Sequence, residues 1–235
     1  MWIWILTGLA VVFILYCFLP NLYSRNLSPF VLRKGSGEER KIALTFDDGP
    51  NPRYTPRVLD ILKDYQVPAG FFLVGERAAR HPELVRRMLQ EGHTVGIHSY
   101  SHRHAWLMPP GTTYRDMGKS HRILSQIAGQ APRWYRPPWG TFNLMTLPAA
   151  RKLKLIPVYW SIEAQDWEEW ATPEHIHDAV MDLAKPGSII VLHDSGGAPG
   201  APEKTIAALP LIIEDLKKQG FQFTTLDRMK GASPC

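Results

Sequence analysis

Seven brief apolar runs, each about the length of a strand and most of them ended by a polar motif, are separated by stretches of helical patterning, and few folds accept that rhythm. The runs cover residues 41–46, 70–74, 94–98, 134–136, 156–160, 188–192 and 221–225. Helices are predicted at 55–65, with Thr55 as cap and Pro56 at the first position, and at 82–92, opened by Pro82 and closed by Gly92. A third is predicted at 113–128, where Thr113 and Asp116 resemble a capping box, and others at 147–154, 172–184 and 203–219. Strands that are apolar along their whole length are buried on both faces, which implies a mostly parallel sheet covered by helices. The fold class is therefore α/β. Seven such units suit a distorted seven-stranded (β/α) barrel better than an open doubly wound sheet. In a barrel, the residues just beyond the C-terminal strand ends meet on one face.

Residues 2–20 carry no charge and are nearly all apolar, long enough for the ~17–25 residues that a bilayer crossing needs. A cleaved signal peptide would want a basic start and a small-x-small exit, and neither is present. Residues 1–20 are accordingly expected to form a single transmembrane anchor, residues 21–39 a polar linker, and residues 40–230 one catalytic domain. Arg25, Arg33, Lys34, Arg40 and Lys41 follow the apolar segment and no Lys or Arg precedes it. Taken alone, the positive-inside rule puts the domain in the cytoplasm. The formal net charge of +5 favours an anionic surface, a membrane face or an acidic wall. The basic residues are scattered along predicted helices rather than striped with aromatics, which argues against nucleic acid. The two cysteines, Cys17 and Cys235, lie in the apolar segment and at the last position, so no structural disulfide is expected. Any metal would be held by imidazole and carboxylate.

Five polar motifs sit at predicted strand ends: Thr45-Phe46-Asp47-Asp48-Gly49, His98-Ser99-Tyr100-Ser101-His102, Arg136-Pro137-Pro138-Trp139-Gly140, Asp166-Trp167 and Leu192-His193-Asp194. Adjacent residues leaving a strand point in different directions, so one carboxylate of an Asp-Asp pair can ligate a metal while the other faces substrate. By itself such a pair is more often a turn. His98 and His102, four apart, reach a single point from a helical turn or a tight loop. With an aspartate from a neighbouring strand they make three protein ligands and leave a position for water, the composition of a catalytic zinc site. Arg136 precedes two prolines that hold its loop extended, and its guanidinium can keep Asp47 charged. A strand-end histidine with a carboxylate on its other nitrogen, as His193 offers, is a candidate general acid. Trp167 is either packing or an apolar wall for a small acyl group; Trp160, Trp170 and Phe142 read as core or groove.

The ordered set resembles the polysaccharide deacetylases, carbohydrate esterase family 4, over residues 41–225. The resemblance implies a metal-dependent hydrolase that removes N-acetyl groups from amino-sugar glycans of the peptidoglycan, chitin or chitooligosaccharide class, leaving acetate and a free amine. It implies Asp47 as catalytic base, Asp48, His98 and His102 as ligands of Zn²⁺, Co²⁺ or another divalent ion, and Arg136 as the residue holding the base. Asp166 would orient His193, the catalytic acid, and the backbone N–H of Trp139 would face the oxyanion. Val191 stands where the family often has a leucine lining the acetyl pocket. Substrates of this kind lie outside the membrane, so a single-pass protein with an extracytoplasmic domain is expected, against the charge rule. An esterase acting on acetylxylan, a deacylase of a lipid-linked sugar and a glycan-binding pseudoenzyme are the alternatives.

Overall fold

The computed structural model describes residues 2–229; Cys235 and the last position of the expected catalytic domain lie outside the described residues. The strands are β1 (Lys41–Asp47), β2 (Gly70–Leu73), β3 (Thr94–Ile97), β4 (Trp134–Tyr135), β5 (Ile156–Pro157), β6 (Ile162–Glu163), β7 (Ile189–His193) and β8 (Gln222–Phe223). All of their pairings are parallel, in the order β5-β4-β3-β2-β1-β7-β6, with β8 set against the start of β1. In β1 every residue after Lys41 is buried, as a central parallel strand requires. Ile42, Leu44, Phe46, Ile190 and Leu192 share one core with Leu209, Ile212 and Ile213 of the helix Ala201–Lys218.

Among the described residues no ladder joins β5 to β6, so the expected seven-stranded barrel is a curled sheet open along one seam. The predicted strand 156–160 ends early, at Pro157, and β6 was not foreseen. Residues predicted as linker pair beside β5 at this open edge. Leu32 donates its N–H to the Pro157 carbonyl at 2.9 Å and accepts from the Tyr159 N–H at 2.7 Å, forming a parallel bridge to Val158. Val31 and Leu32 are buried.

The segment before them differs from a free linker as well. The N-terminal helix runs without a break from Trp2 to Asn26, with a π-helical turn at Ile14–Phe18. The guanidinium of Arg33 closes its end, donating to the carbonyls of Ser24 at 2.7 Å and Ser28 at 3.0 Å, and to that of Arg25. Carbonyls left over at a helix C-terminus attract such a cation. Further along the expected linker, the Gly35 N–H is bonded to the Gly187 carbonyl at 2.8 Å.

Candidate active site

Register assembles the site. Parallel pairing sets Asp47 opposite His193 on one side and Phe72 on the other, so two of the expected residues end neighbouring strands at the same level. One step further round the sheet, the His98 N–H bonds the Leu73 carbonyl at 2.8 Å and the Arg136 N–H bonds that of Ile97 at 2.9 Å. A cleft of about 290 Å³ opens above these ends. Asp47, Asp48, His98, His102, Trp139, Trp167, Val191 and His193 line it, together with Trp160, Glu163 and Gly197. Arg136 and Asp166 lie beneath, both fully buried.

Asp47 Oδ1 accepts from Arg136 Nη1 at 2.7 Å, and the same Nη1 donates to Thr45 Oγ1 at 2.9 Å. The guanidinium also lies 4.1 Å from the centroid of Phe72, an apolar setting in which burial lowers its pKa while the charge of Asp47 opposes the shift. With Oδ1 tied, Asp47 Oδ2 is left turned toward His98, 3.9 Å from its Nε2.

Asp48, His98 and His102 converge on one point. Asp48 Oδ1 lies 2.8 Å from His102 Nε2 and 3.3 Å from His98 Nε2. Burial pushes this carboxyl up, but hydrogen bonding to the two imidazoles outweighs it and holds Asp48 well below the usual carboxylate range. His98 Nδ1 is 2.8 Å from the Arg136 carbonyl. A carbonyl only accepts, so Nδ1 carries a proton; a cation bound in place of the Nε2 proton would meet that atom's lone pair, the arrangement usual for a metal ligand. The three donor atoms lie within 4.8 Å of one another, and one imidazole is fixed by its outer partner. That donor set fits a divalent cation.

The two histidines come from a loop rather than a helical turn. Ser99 and His102 have left-handed backbones, with φ of 63° and 51°, and Ser99 Oγ accepts the His102 N–H at 2.8 Å. Asp116 holds the same loop, accepting from the Tyr100 N–H and the Ser101 hydroxyl, each at 2.8 Å. The expected capping box at Thr113 and Asp116 is therefore absent. The helix opens earlier, at Pro110, and Asp116 serves the loop instead. Asp48 (φ 73°), Trp139 (φ 53°) and Gln165 (φ 52°) are left-handed too. Non-glycine residues in that region cost free energy and cluster where the surroundings enforce them.

On the other wall, Asp166 Oδ1 accepts from His193 Nδ1 at 2.8 Å, while Oδ2 accepts the His193 N–H and the Thr205 hydroxyl, each at 2.7 Å. Burial pulls the His193 imidazole down, but the charge of Asp166 and the bond to it carry its pKa up to about 9. Trp167 stands edge-on to His193, 5.1 Å between centroids.

Several supporting residues were assigned no role from the sequence. Asp194 accepts a hydrogen bond from Thr55, which was expected to cap a helix, and burial raises its carboxyl to about 7. It lies so close to Gly49 that a Cβ there would stand 2.5 Å from its oxygens, which is why a glycine follows the Asp-Asp pair. Arg77 reaches the Asp48 carbonyl at 2.6 Å. Glu163 enters the cleft from β6, its carboxyl raised by burial.

Comparison with known proteins fits this geometry. The family model described as polysaccharide deacetylase matches residues 34–158. A peptidoglycan-N-acetylglucosamine deacetylase of Bacillus cereus is 37% identical over 212 residues, 88% of this chain and 97% of that protein. The chain belongs to the polysaccharide deacetylase family. A chitooligosaccharide deacetylase of a Bradyrhizobium species is 35% identical, over 85% of this chain and 96% of that one. The crystal structure of the Bc1960 peptidoglycan N-acetylglucosamine deacetylase superposes with a TM-score of 0.81 at 35% identity, covering 87% of this chain and 94% of that one. Polysaccharide deacetylases of this family are hydrolases that use a divalent metal, for which Asp48, His98 and His102 form a possible site here.

Proposed function

We propose that this polysaccharide deacetylase removes the N-acetyl group from an amino-sugar glycan of the envelope, peptidoglycan or chitooligosaccharide in class, leaving acetate and a free amine. The observation that carries the reading is the division of labour around Asp47, with one carboxylate oxygen tied to Arg136 and the other turned toward the Asp48–His98–His102 cluster. Those three residues would hold the metal, zinc by the nature of the donor set, with cobalt or another divalent ion as a substitute. When bound, it lowers the pKa of water and polarises an acetamide carbonyl.

Asp47 takes the proton of the attacking water through Oδ2 while Arg136 holds Oδ1. The backbone N–H of Trp139 faces the developing oxyanion. His193, held in orientation by Asp166, gives its proton to the departing amine. Val191 and Trp167 bound the space for the acetyl methyl group. The protein is anchored by residues 1–20, with the domain on the outer face of the membrane, where such glycans lie; an exposed apolar helix of bilayer length supports the anchor.

The test is acetate release from chitooligosaccharides, peptidoglycan and acetylxylan, before and after chelation and zinc return. Release from an amino-sugar substrate that chelation abolishes and zinc restores is expected. Release from acetylxylan alone would replace the amide reading with an ester one. A metal-loaded protein that binds glycan without releasing acetate would make it a binding protein. Protease added to intact cells is expected to remove the domain; protection until lysis would reverse the orientation.

A further inference from the structure

The N-terminal helix does not stand clear of the catalytic domain. Its Tyr16 carbonyl accepts from the Leu144 N–H at 2.8 Å, and the Tyr16 hydroxyl donates to the Met108 carbonyl at 2.8 Å. One turn on, Asn21 Oδ1 accepts from the Phe142 N–H at 2.9 Å, and Phe13 meets Trp106 edge-on, 5.3 Å between centroids. Residues 2–15 are exposed.

This geometry limits how the protein sits on a bilayer. Residues 2–15 form about 21 Å of exposed helix before the first backbone bond to the domain, at ~1.5 Å per residue, against a hydrocarbon core of ~30 Å. A helix that spans must therefore carry the rim bonded at Tyr16 about 9 Å into the apolar layer. The rim is made for that. Residues 105–114 and 137–150 contain no charged side chain. At the contact itself, Leu107 is 81% exposed and Leu144 is 53% exposed. The first charge along the helix is Arg25, at the level where headgroups would begin. The cleft is close by. A row of ring contacts, each 4.4 to 5.4 Å between centroids, leads from His102 through Trp139, His104 and Trp106 to Phe13.

We infer that the rim around Leu107 and Leu144 inserts into the bilayer and holds the cleft open at the membrane surface, so that the substrate is an amino-sugar glycan tethered to that membrane by a lipid. This rests on the anchored deacetylase reading above. A domain on a free linker would sample the wall; one joined rigidly to its anchor works on what the membrane itself presents.

Two experiments test it on the full-length protein in phosphatidylcholine–phosphatidylglycerol vesicles. In a Cys17→Ala, Cys235→Ser background, a fluorophore is placed through Val11→Cys, Leu107→Cys, Leu144→Cys or Lys218→Cys. Nitroxide groups on the lipid acyl chains are expected to quench the first three and spare the last. Quenching at position 11 with none at 107 and 144 would mean that the domain stands clear, and would overturn the inference. No quenching at position 11 would overturn it together with the anchor. In the second experiment, Leu107→Glu with Leu144→Glu is expected to lower acetate release from a vesicle-borne N-acetylglucosamine glycolipid about fivefold or more. Release from soluble chitooligosaccharide should stay at the wild-type level. Equal turnover of the glycolipid by both proteins would sink the inference. A wild type inactive on both substrates would instead count against the deacetylase reading.

Discussion

Asp47, in the wall of the cleft, and Asp166, beneath it, are both buried carboxylates, and each is paired with one cation. Asp47 is paired with a guanidinium, which does not give up its proton in a protein, and Asp166 with an imidazole, which does. The difference assigns the chemistry. A base must stay free of protons at rest, so a permanent cation beside it is the useful partner. An acid must arrive loaded, so a titratable cation made more basic by a carboxylate is the useful one. A fixed cation beside the base and a titratable one as the acid let one site run both halves of a proton transfer at one pH.

The sharpest way to break this comparison is Asp47→Asn, which removes the proton acceptor but keeps the shape. Acetate release is expected to fall by ~10²–10⁴-fold, the usual contribution of a general base, with metal content unchanged by elemental analysis. A loss within about threefold would make Asp47 a structural residue and leave the base unassigned.

Next is Arg136→Met, which fills much of the same volume without the charge. It strands the buried Asp47, and removing one partner of a buried ion pair costs about 3–5 kcal/mol. Urea denaturation should show the midpoint falling at an unchanged slope. A cost below about 1 kcal/mol would mean that Asp47 is solvated well enough to need no cation, and the contrast between the two pairs would lose its basis.

How much of this was legible in the sequence depended on whether a residue's partner was nearby in the chain. The strands showed because parallel strands must be apolar throughout, and the motifs because they end those strands. His98, His193 and Arg136 were readable for that reason. Their supports were not. Asp116, Thr205 and Thr55 sit on helices, where nothing local separates a hydroxyl or carboxylate serving a distant loop from one that caps its own helix. Thr113 and Asp116 had the spacing of a capping box and neither forms one. Residues 21–39 depart from a free linker for a related reason: they are polar and glycine-bearing, as a linker is, but Leu32 pairs with Val158, a partner that only the folded sheet presents.

The third prediction tests the other carboxylate. His193 is protonated below its pKa of about 9 and loses that proton as pH rises through it. Activity that needs the imidazolium should therefore persist to about pH 9 and fail above. Asp166→Asn removes the charge that raises it, so the alkaline limb should move down toward the ordinary imidazole value, ~6.5. At pH 8 the expected loss is on the order of tenfold, shrinking as the pH is lowered. A loss of the same size at every pH would show that Asp166 positions the ring without tuning it.

The smallest expected effect is the most discriminating, because Thr205→Val leaves both members of the second pair in place. The Thr205 hydroxyl is one of three donors on Asp166, and valine keeps its shape while deleting that bond. With one donor fewer, the carboxylate gives more of its hydrogen-bonding capacity to His193. The net worth of such a bond is ~1 kcal/mol, so stability should drop by about that much. Activity at pH 7 should change by less than about tenfold. The alkaline limb should move up, by less than Asp166→Asn moves it down. Threonine has no counterpart role beside Arg136, whose own hydrogen bond to Thr45 fixes the cation rather than the carboxylate. Thr45→Val should thus leave the alkaline limb where it is. A shift from Thr45→Val as large as that from Thr205→Val would mean that the two pairs are coupled through the cleft, and that the division between a fixed base and a tuned acid is drawn in the wrong place.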